Sequence, residues 1–239
     1  MPIKVSKPQY KKITELFSKL CGRFQLWELW EDAMIMFSCS ISNSVDKRYF
    51  DEREERYISY ANKYTKDEMH TFVQILAEIC NQLEVDPNQD FLGDLYMTLN
   101  LGSHWHGQFF TPYNVCKLMA ESEVPDVALE DVKPITCLDP ACGGGALLIA
   151  TGNTIKNRIS KYGLSAQEYV CFFAQDLSQT TAMMCYIQLS LLGFAAKVKV
   201  GDSLLHPMTN EDNGSDIWYT PMWFSDVWVV RRMIEGLKI

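Results

Sequence analysis

One stretch constrains this chain more than any other: Thr136-Cys137-Leu138-Asp139-Pro140-Ala141-Cys142-Gly143-Gly144-Gly145-Ala146-Leu147-Leu148. It reads as a short buried strand, an Asp-Pro break, a glycine turn and the start of a helix. Glycine after a strand lets the backbone pass close to a ligand, because no Cβ blocks the approach. The helix that follows presents unpaired N–H groups at its first turn. The pattern predicts a site for a nucleotide-like molecule at the carboxyl edge of a sheet.

The sequence around this stretch alternates in the same way. Tyr169–Ala174 is a continuous apolar run, as a central parallel strand requires, and Gln175-Asp176 stands at its end. Thr180–Leu192 has helical spacing, and Ala196–Val200 forms a third strand ending at Gly201-Asp202. Strand–helix–strand–helix–strand implies right-handed parallel crossovers. Residues 1–100 read differently. Apolar residues recur at helical spacing over Tyr10–Leu20, Phe24–Phe37 and Lys66–Leu83, with a charged, more exposed helix expected over Asp46–Tyr64 and a short one over Asp90–Tyr96. The expected fold is therefore α/β: a helical region over 1–100, then a shortened Rossmann-like unit with a mainly parallel sheet over 101–239.

A nicotinamide-type site wants a third glycine, and Gly143-Gly144-Gly145-Ala146-Leu147-Leu148 lacks it. Four segments in order fit another family instead: Gly107-Gln108-Phe109-Phe110-Thr111-Pro112, the glycine turn, Ala174-Gln175-Asp176-Leu177 and Gly201-Asp202-Ser203-Leu204. Together they resemble the adenine-N6 DNA methyltransferases, especially the modification subunits of type I restriction systems. The family's turn reads Asp-Pro-Ala-Cys-Gly-Ser-Gly, with Gly144 here in the serine position. The resemblance spans roughly residues 90–205 and implies S-adenosylmethionine (SAM) as cofactor. It places Thr111, Asp139, Gly143 and Gly145 at the methionine end, Asp176 at the ribose hydroxyls and Asp202 at the adenine amine, with Gln108, Phe109, Ala141 and Ser203 also among the cofactor-binding residues. From its position, Thr111 is also expected to cap the following helix, with Pro112 in its first turn.

The resemblance fails at the fourth-strand motif, Asn or Asp-Pro-Pro-Tyr or Phe. In that family it accepts hydrogen bonds from the target amine and stacks on the flipped base. No Pro-Pro occurs in this chain, and the nearest imitation is Thr220-Pro221-Met222-Trp223. Thr220 and Trp223 are thus the weak catalytic candidates, with an aromatic clasp on the sheet (Trp218, Tyr219, Trp223, Phe224, Trp228) as the plainer reading. In the family order the first strand is central. Here it becomes an edge, expected to be covered by the aromatic tail or by a second copy.

The net charge is −8, so a DNA-gripping role is expected to take most phosphate contacts from another chain or domain. No apolar run approaches a membrane span, and Met1–Lys12 lacks a signal-peptide core. The eight cysteines show no Cys-x-x-Cys spacing and read as reduced core residues of a cytoplasmic protein. No metal site is expected: His104 and His106 have no second ligand pair. Three functions follow. The first is a SAM-binding partner in DNA modification that is not competent alone. The second is an active adenine-N6 methyltransferase with a non-standard or partner-supplied loop. The third is an interaction module with an empty pocket. Association, with itself or a partner protein, is expected through the aromatic C-terminal region.

Overall fold

The computed structural model describes residues 7–101, 109–126 and 133–235. Six helices come first: α1 (Lys11–Leu20), α2 (Leu26–Val45), α3 (Phe50–Ala61), α4 (Lys66–Val85), α5 (Phe91–Thr98) and α6 (Tyr113–Glu123). Then follow β1 (Ile135–Asp139), α7 (Ala146–Ile159), the single turn α8 (Ala166–Tyr169), β2 (Val170–Asp176), α9 (Gln179–Leu191), β3 (Ala195–Val200), β4 (Ile217–Tyr219) and α10 (Asp226–Glu235). Among the described residues no helix is long and apolar enough to cross a membrane.

The helices begin where side-chain chemistry lets them. Thr65 accepts the Glu68 N–H while Glu68 reaches back to the Thr65 N–H at 2.7 Å, a reciprocal cap that starts α4 at Lys66. Gln25 and Glu28 set the start of α2 in the same way. Thr111 does not cap α6, contrary to the expectation from sequence. Pro112 keeps an extended ψ of 135°, so it becomes the N-cap itself and the helix opens one residue later, at Tyr113.

The sheet order is β1-β2-β3-β4, with the first three strands parallel. β4 runs antiparallel to β3, pairing Lys197 with Tyr219 and Lys199 with Ile217. Of the two covers expected for the β1 edge, the aromatic tail is not the one: it closes the β3 side, and among the described residues none pairs with the outer edge of β1. β4 is only three residues long and follows a polar loop, so it carries no period for sequence reading to detect.

One sheet face (Phe172, Ala174, Ala196, Val198, Trp218) joins a core that runs from Tyr10 of the N-terminal helices to the sheet. α2 lies along α9 in that core, which explains its all-round apolar character. The other face (Cys171, Phe173, Ala195) is covered by Met208, Met222, Trp223 and Trp228. Trp228 is fully buried and donates its indole N–H to Gln167 O at 2.7 Å. An aromatic side chain this large contributes through area, and its one polar atom is satisfied. β3 alternates apolar residues with Lys197 and Lys199, yet both lysines are buried. The 209–216 loop folds over them and takes their charges on Thr209 O (2.8 Å) and Asp212 (2.6 Å).

Within the charged, more exposed helix expected over Asp46–Tyr64, the mixed-charge run Asp51–Arg56 has the composition of a solvated face. Arg53 departs from that: it is 2% exposed and buried against β4. Its guanidinium donates to Ile217 O at 2.6 Å and Ser42 Oγ at 2.5 Å, contacts Asp46 at 3.3 Å, and lies 4.3 Å from the Trp218 ring centroid.

Candidate functional site at the carboxyl edge of the sheet

β2 and β3 end level, with Asp176 opposite Val200, and β1 ends two residues short of them, with Asp139 opposite Ala174. The loops leaving them carry the residues singled out from sequence. The glycine turn is held from below by backbone: Cys142 N donates to Gln175 O at 3.0 Å, and Gly145 N donates to Cys142 O at 2.8 Å. Gly143 and Gly145 adopt φ of 52° and 93°, the left-handed region where a Cβ is costly.

Asp176 links this turn to α9. One carboxylate oxygen accepts the Gly143 N–H at 2.8 Å; the other accepts the Ser178 N–H at 2.9 Å and the Thr181 hydroxyl at 2.8 Å. A carboxylate has about four acceptor positions, so about one remains for a ligand hydroxyl. Gln175, one residue earlier, points to the opposite face and clamps the loop after β3. Its amide donates to His206 O at 3.0 Å and accepts from Met208 N at 2.9 Å. Two successive side chains of β2 thus fix the loops on both sides.

Among the described residues, Asp139 accepts only the Ala141 N–H, at 3.0 Å, and its second oxygen has no partner. Burial, with the nearby Asp176 charge, raises its proton affinity above that of an ordinary aspartate. Asp202 differs. Its carboxylate accepts the N–H groups of Leu205 (3.1 Å) and Leu204 (2.8 Å), which hold its pKa below the usual range. Ser203 lies in the same turn. Leu177, Leu204 and Leu205 stand exposed on these loops, an apolar rim around three carboxylates.

Not every expected residue reaches the turn. Phe109 points outward, and its neighbour Phe110 lies against Gly143 instead, 3.2 Å from where a Cβ would stand. Thr111 lines an adjoining cavity of about 480 Å3 with Phe110, Asp90 and Tyr113. Gln108 lies outside the described residues, as do His104 and His106. Thr220 and Trp223 are at the other end of the sheet. Thr220 N bonds Ala196 O, and its buried hydroxyl donates to Phe194 O at 2.7 Å and accepts from Ala196 N at 2.8 Å. Ala196 is four residues before Val200 along β3, roughly 13 Å.

Two residues behind the turn escaped sequence reading. Asp90 is buried, caps α5 through Gly93 N (3.0 Å), and accepts the Gln188 amide at 2.7 Å. Gln188 also donates to Gly144 O at 2.8 Å and accepts from Leu92 N at 3.0 Å. Burial raises the Asp90 pKa. The signal was weak but present: an aspartate three residues before a glycine at a helix start is a capping pattern. Gly93 is required there, since a Cβ would stand 2.0 Å from the Asp90 carboxylate.

The residues fit a cationic ligand with hydroxyls and a flat ring. Among the described residues, Asp139 and Asp202 each keep a carboxylate oxygen without a hydrogen bond, Asp176 keeps about one acceptor position, and the positive-φ glycines leave the turn bare of side chains. Residues 88–238 match the family model described as N-6 DNA Methylase. The chain is also 30% identical, over 151 residues, to the type I restriction enzyme MjaVIII methylase subunit of Methanocaldococcus jannaschii. That match covers 59% of this chain and 23% of the relative's length.

Proposed function

This chain belongs to the N-6 DNA methylase family, and from that premise we propose that it is a SAM-binding partner in DNA modification, not competent for methyl transfer alone. The observation that carries the reading is the Asp176 carboxylate on the Gly143 N–H, with Asp139 at the start of the same turn and Asp202 in the loop after the neighbouring strand. In this reading Asp139 and the turn face the methionine end and its positive charge. Asp176 accepts a ribose hydroxyl, and Asp202 accepts the adenine amine beside Leu177 and Leu204. When bound, SAM supplies an electrophilic methyl group on a sulfonium. The chain's own residues hold and orient it, and the helical residues 1–100 brace the cofactor unit, 101–239.

The restriction to binding rests on the fourth-strand segment. Thr220 has its hydroxyl committed to backbone at the far end of the sheet, so Thr220 and Trp223 offer no acceptor for a target amine near the turn. A partner's basic surface is needed on DNA, given the net charge of −8. The relative's name, a methylase subunit of a restriction enzyme, supports work beside other subunits.

Calorimetric titration with SAM tests the binding. Asp176→Ala is expected to weaken it by tenfold or more, about 1.4 kcal/mol. Asp202→Asn keeps the turn's acceptor and is expected to cost about fivefold, roughly 1 kcal/mol. A folded wild-type chain that binds no SAM overturns the reading. Methylation of adenine in DNA by the purified chain overturns the restriction.

Binding should also depend on pH. The ionised Asp139 attracts the cation, and its pKa is raised. Affinity is therefore full above that raised value and falls as pH drops through it, starting above the ordinary aspartate value of about 3.9. Titrations at stepped pH check this, and a flat profile down to that value removes Asp139 from the site.

A further inference from the structure

Beside the glycine turn, the cavity of about 480 Å3 has the size of a small-molecule pocket, a class of about 300–1,000 Å3. Phe110 joins the two, since its ring lines the cavity and lies against Gly143. Asp90 lines the cavity as well, and its Oδ1 would stand 3.4 Å from a Cβ on Gly144. That one oxygen holds all of the residue's structural bonds. Oδ1 accepts the Gly93 N–H at 3.0 Å and the Gln188 amide at 2.7 Å. Among the described residues Oδ2 has no partner, although Asp90 is only 4% exposed. Lys7, the lysine of this cavity, pairs with Asp94 instead, as does the Tyr10 hydroxyl. A buried carboxylate oxygen without a donor is costly, and a cationic donor entering the cavity removes that cost.

We propose that Asp90 is the counter-ion of the α-ammonium group of SAM, so that this cavity holds the amino-acid end of the cofactor. The inference rests on the SAM-binding reading and adds to it a residue that none of the four sequence motifs contains, one that selects for the amine. An ammonium carries only donors, so it satisfies Oδ2 without competing for the Gly93 N–H or the Gln188 amide. The bond is charge-assisted and shielded from water, the setting in which such bonds are strong. Met97 and Phe110 offer apolar surface to the methylenes. Thr111, expected at the methionine end, lines the same cavity, and its hydroxyl makes no bond among the described residues. Asp139 does not line this cavity and remains for the sulfonium charge.

Paired titrations of the full chain test the proposal. One ligand is S-adenosylhomocysteine; the other, 5′-S-(3-carboxypropyl)-5′-thioadenosine, differs from it only in lacking the α-amine. The wild type should bind the amine-bearing ligand about tenfold or more tightly, the scale of one hydrogen bond to a charged group. Asp90→Asn keeps Oδ1 for Gly93 and Gln188 and changes only Oδ2. It should weaken S-adenosylhomocysteine by about tenfold or more and leave the deamino ligand unchanged. A purely structural role does not split the ligands in this way, because a turn loosened through Gln188 weakens both alike. Equal losses, no loss for either, or a wild type without preference for the amine overturn the inference and leave the SAM reading standing. A wild type that binds neither SAM nor these two ligands overturns that reading as well. Circular dichroism checks folding. If Asp90→Asn does not fold, Asp90→Ser, which still caps α5, is titrated with the same expectations.

Discussion

Replacing Arg53 with alanine should lower the unfolding free energy by about 3–5 kcal/mol, the sum of a buried cavity and a stranded buried acceptor. The side chain reaches three partners at once: Ser42 on α2, Asp46 just beyond it, and Ile217 O on β4. It also lies over the Trp218 ring. Alanine leaves a cavity among large side chains and strands Ile217 O, a buried acceptor that costs about 1–3 kcal/mol when unmade. Asp46 does not become an orphan. Burial works against its charge, but Arg48 hydrogen bonds and the Arg48 charge hold its carboxyl below the usual range. The loss should therefore fall on β4 more than on the N-terminal helices. Chemical denaturation measures the total. Hydrogen exchange locates it, with faster exchange expected over Ile217–Tyr219 while α4 stays protected. A loss under about 1 kcal/mol would mean that the apolar packing of Trp218 and Trp228, not the guanidinium, holds the tail.

Arg53 also shows where sequence reading stops. Asp51–Arg56 has the composition of a solvated helix face, and nothing local distinguishes Arg53 from Arg56. The difference comes from β4, more than 160 positions away, whose outer carbonyls need a donor. The same holds for Lys197 and Lys199, whose alternation with apolar residues reads as a half-exposed strand until the 209–216 loop covers them. What was legible followed from local periodicity and turn chemistry. α1, α2 and α4, the three parallel strands, and the glycine turn with an acid at each strand end all rest on neighbours in sequence. Phe110 in place of Phe109, and Pro112 in place of Thr111 at the cap, are single-residue shifts of the kind that backbone angles decide. Gln188 was hidden for another reason. It lies in a helix apolar on nearly every side, and its role depends on Asp90 and Gly144, brought to it from two distant segments.

The glycine turn yields the sharpest contrast between neighbouring positions. Gly145→Ala should destabilise the protein by about 2–5 kcal/mol, from two additive causes. At φ of 93° an L-residue pays about 1–2 kcal/mol of backbone strain. Its Cβ would also stand 2.9 Å from Cys185 Sγ and 3.4 Å from the Cys185 backbone. Cys185 is fully buried, so it has no room to turn away, and overpacking of this kind costs about 1–3 kcal/mol. Gly144 is different, though it touches both neighbours. Its backbone is not left-handed, and a Cβ there would meet Asp90 Oδ1 and Met184 at 3.4 Å, ordinary contact. Gly144→Ser should therefore change stability by less than about 1 kcal/mol, because the new hydroxyl can donate to Asp90 and offset the closer packing. A double-mutant cycle separates the causes. Adding Cys185→Ala to Gly145→Ala removes the sulfur and should recover the packing part while the strain remains. If the pair shows no coupling, the cost of Gly145→Ala is conformational alone, and the turn's shape, not its fit against α9, is what demands glycine.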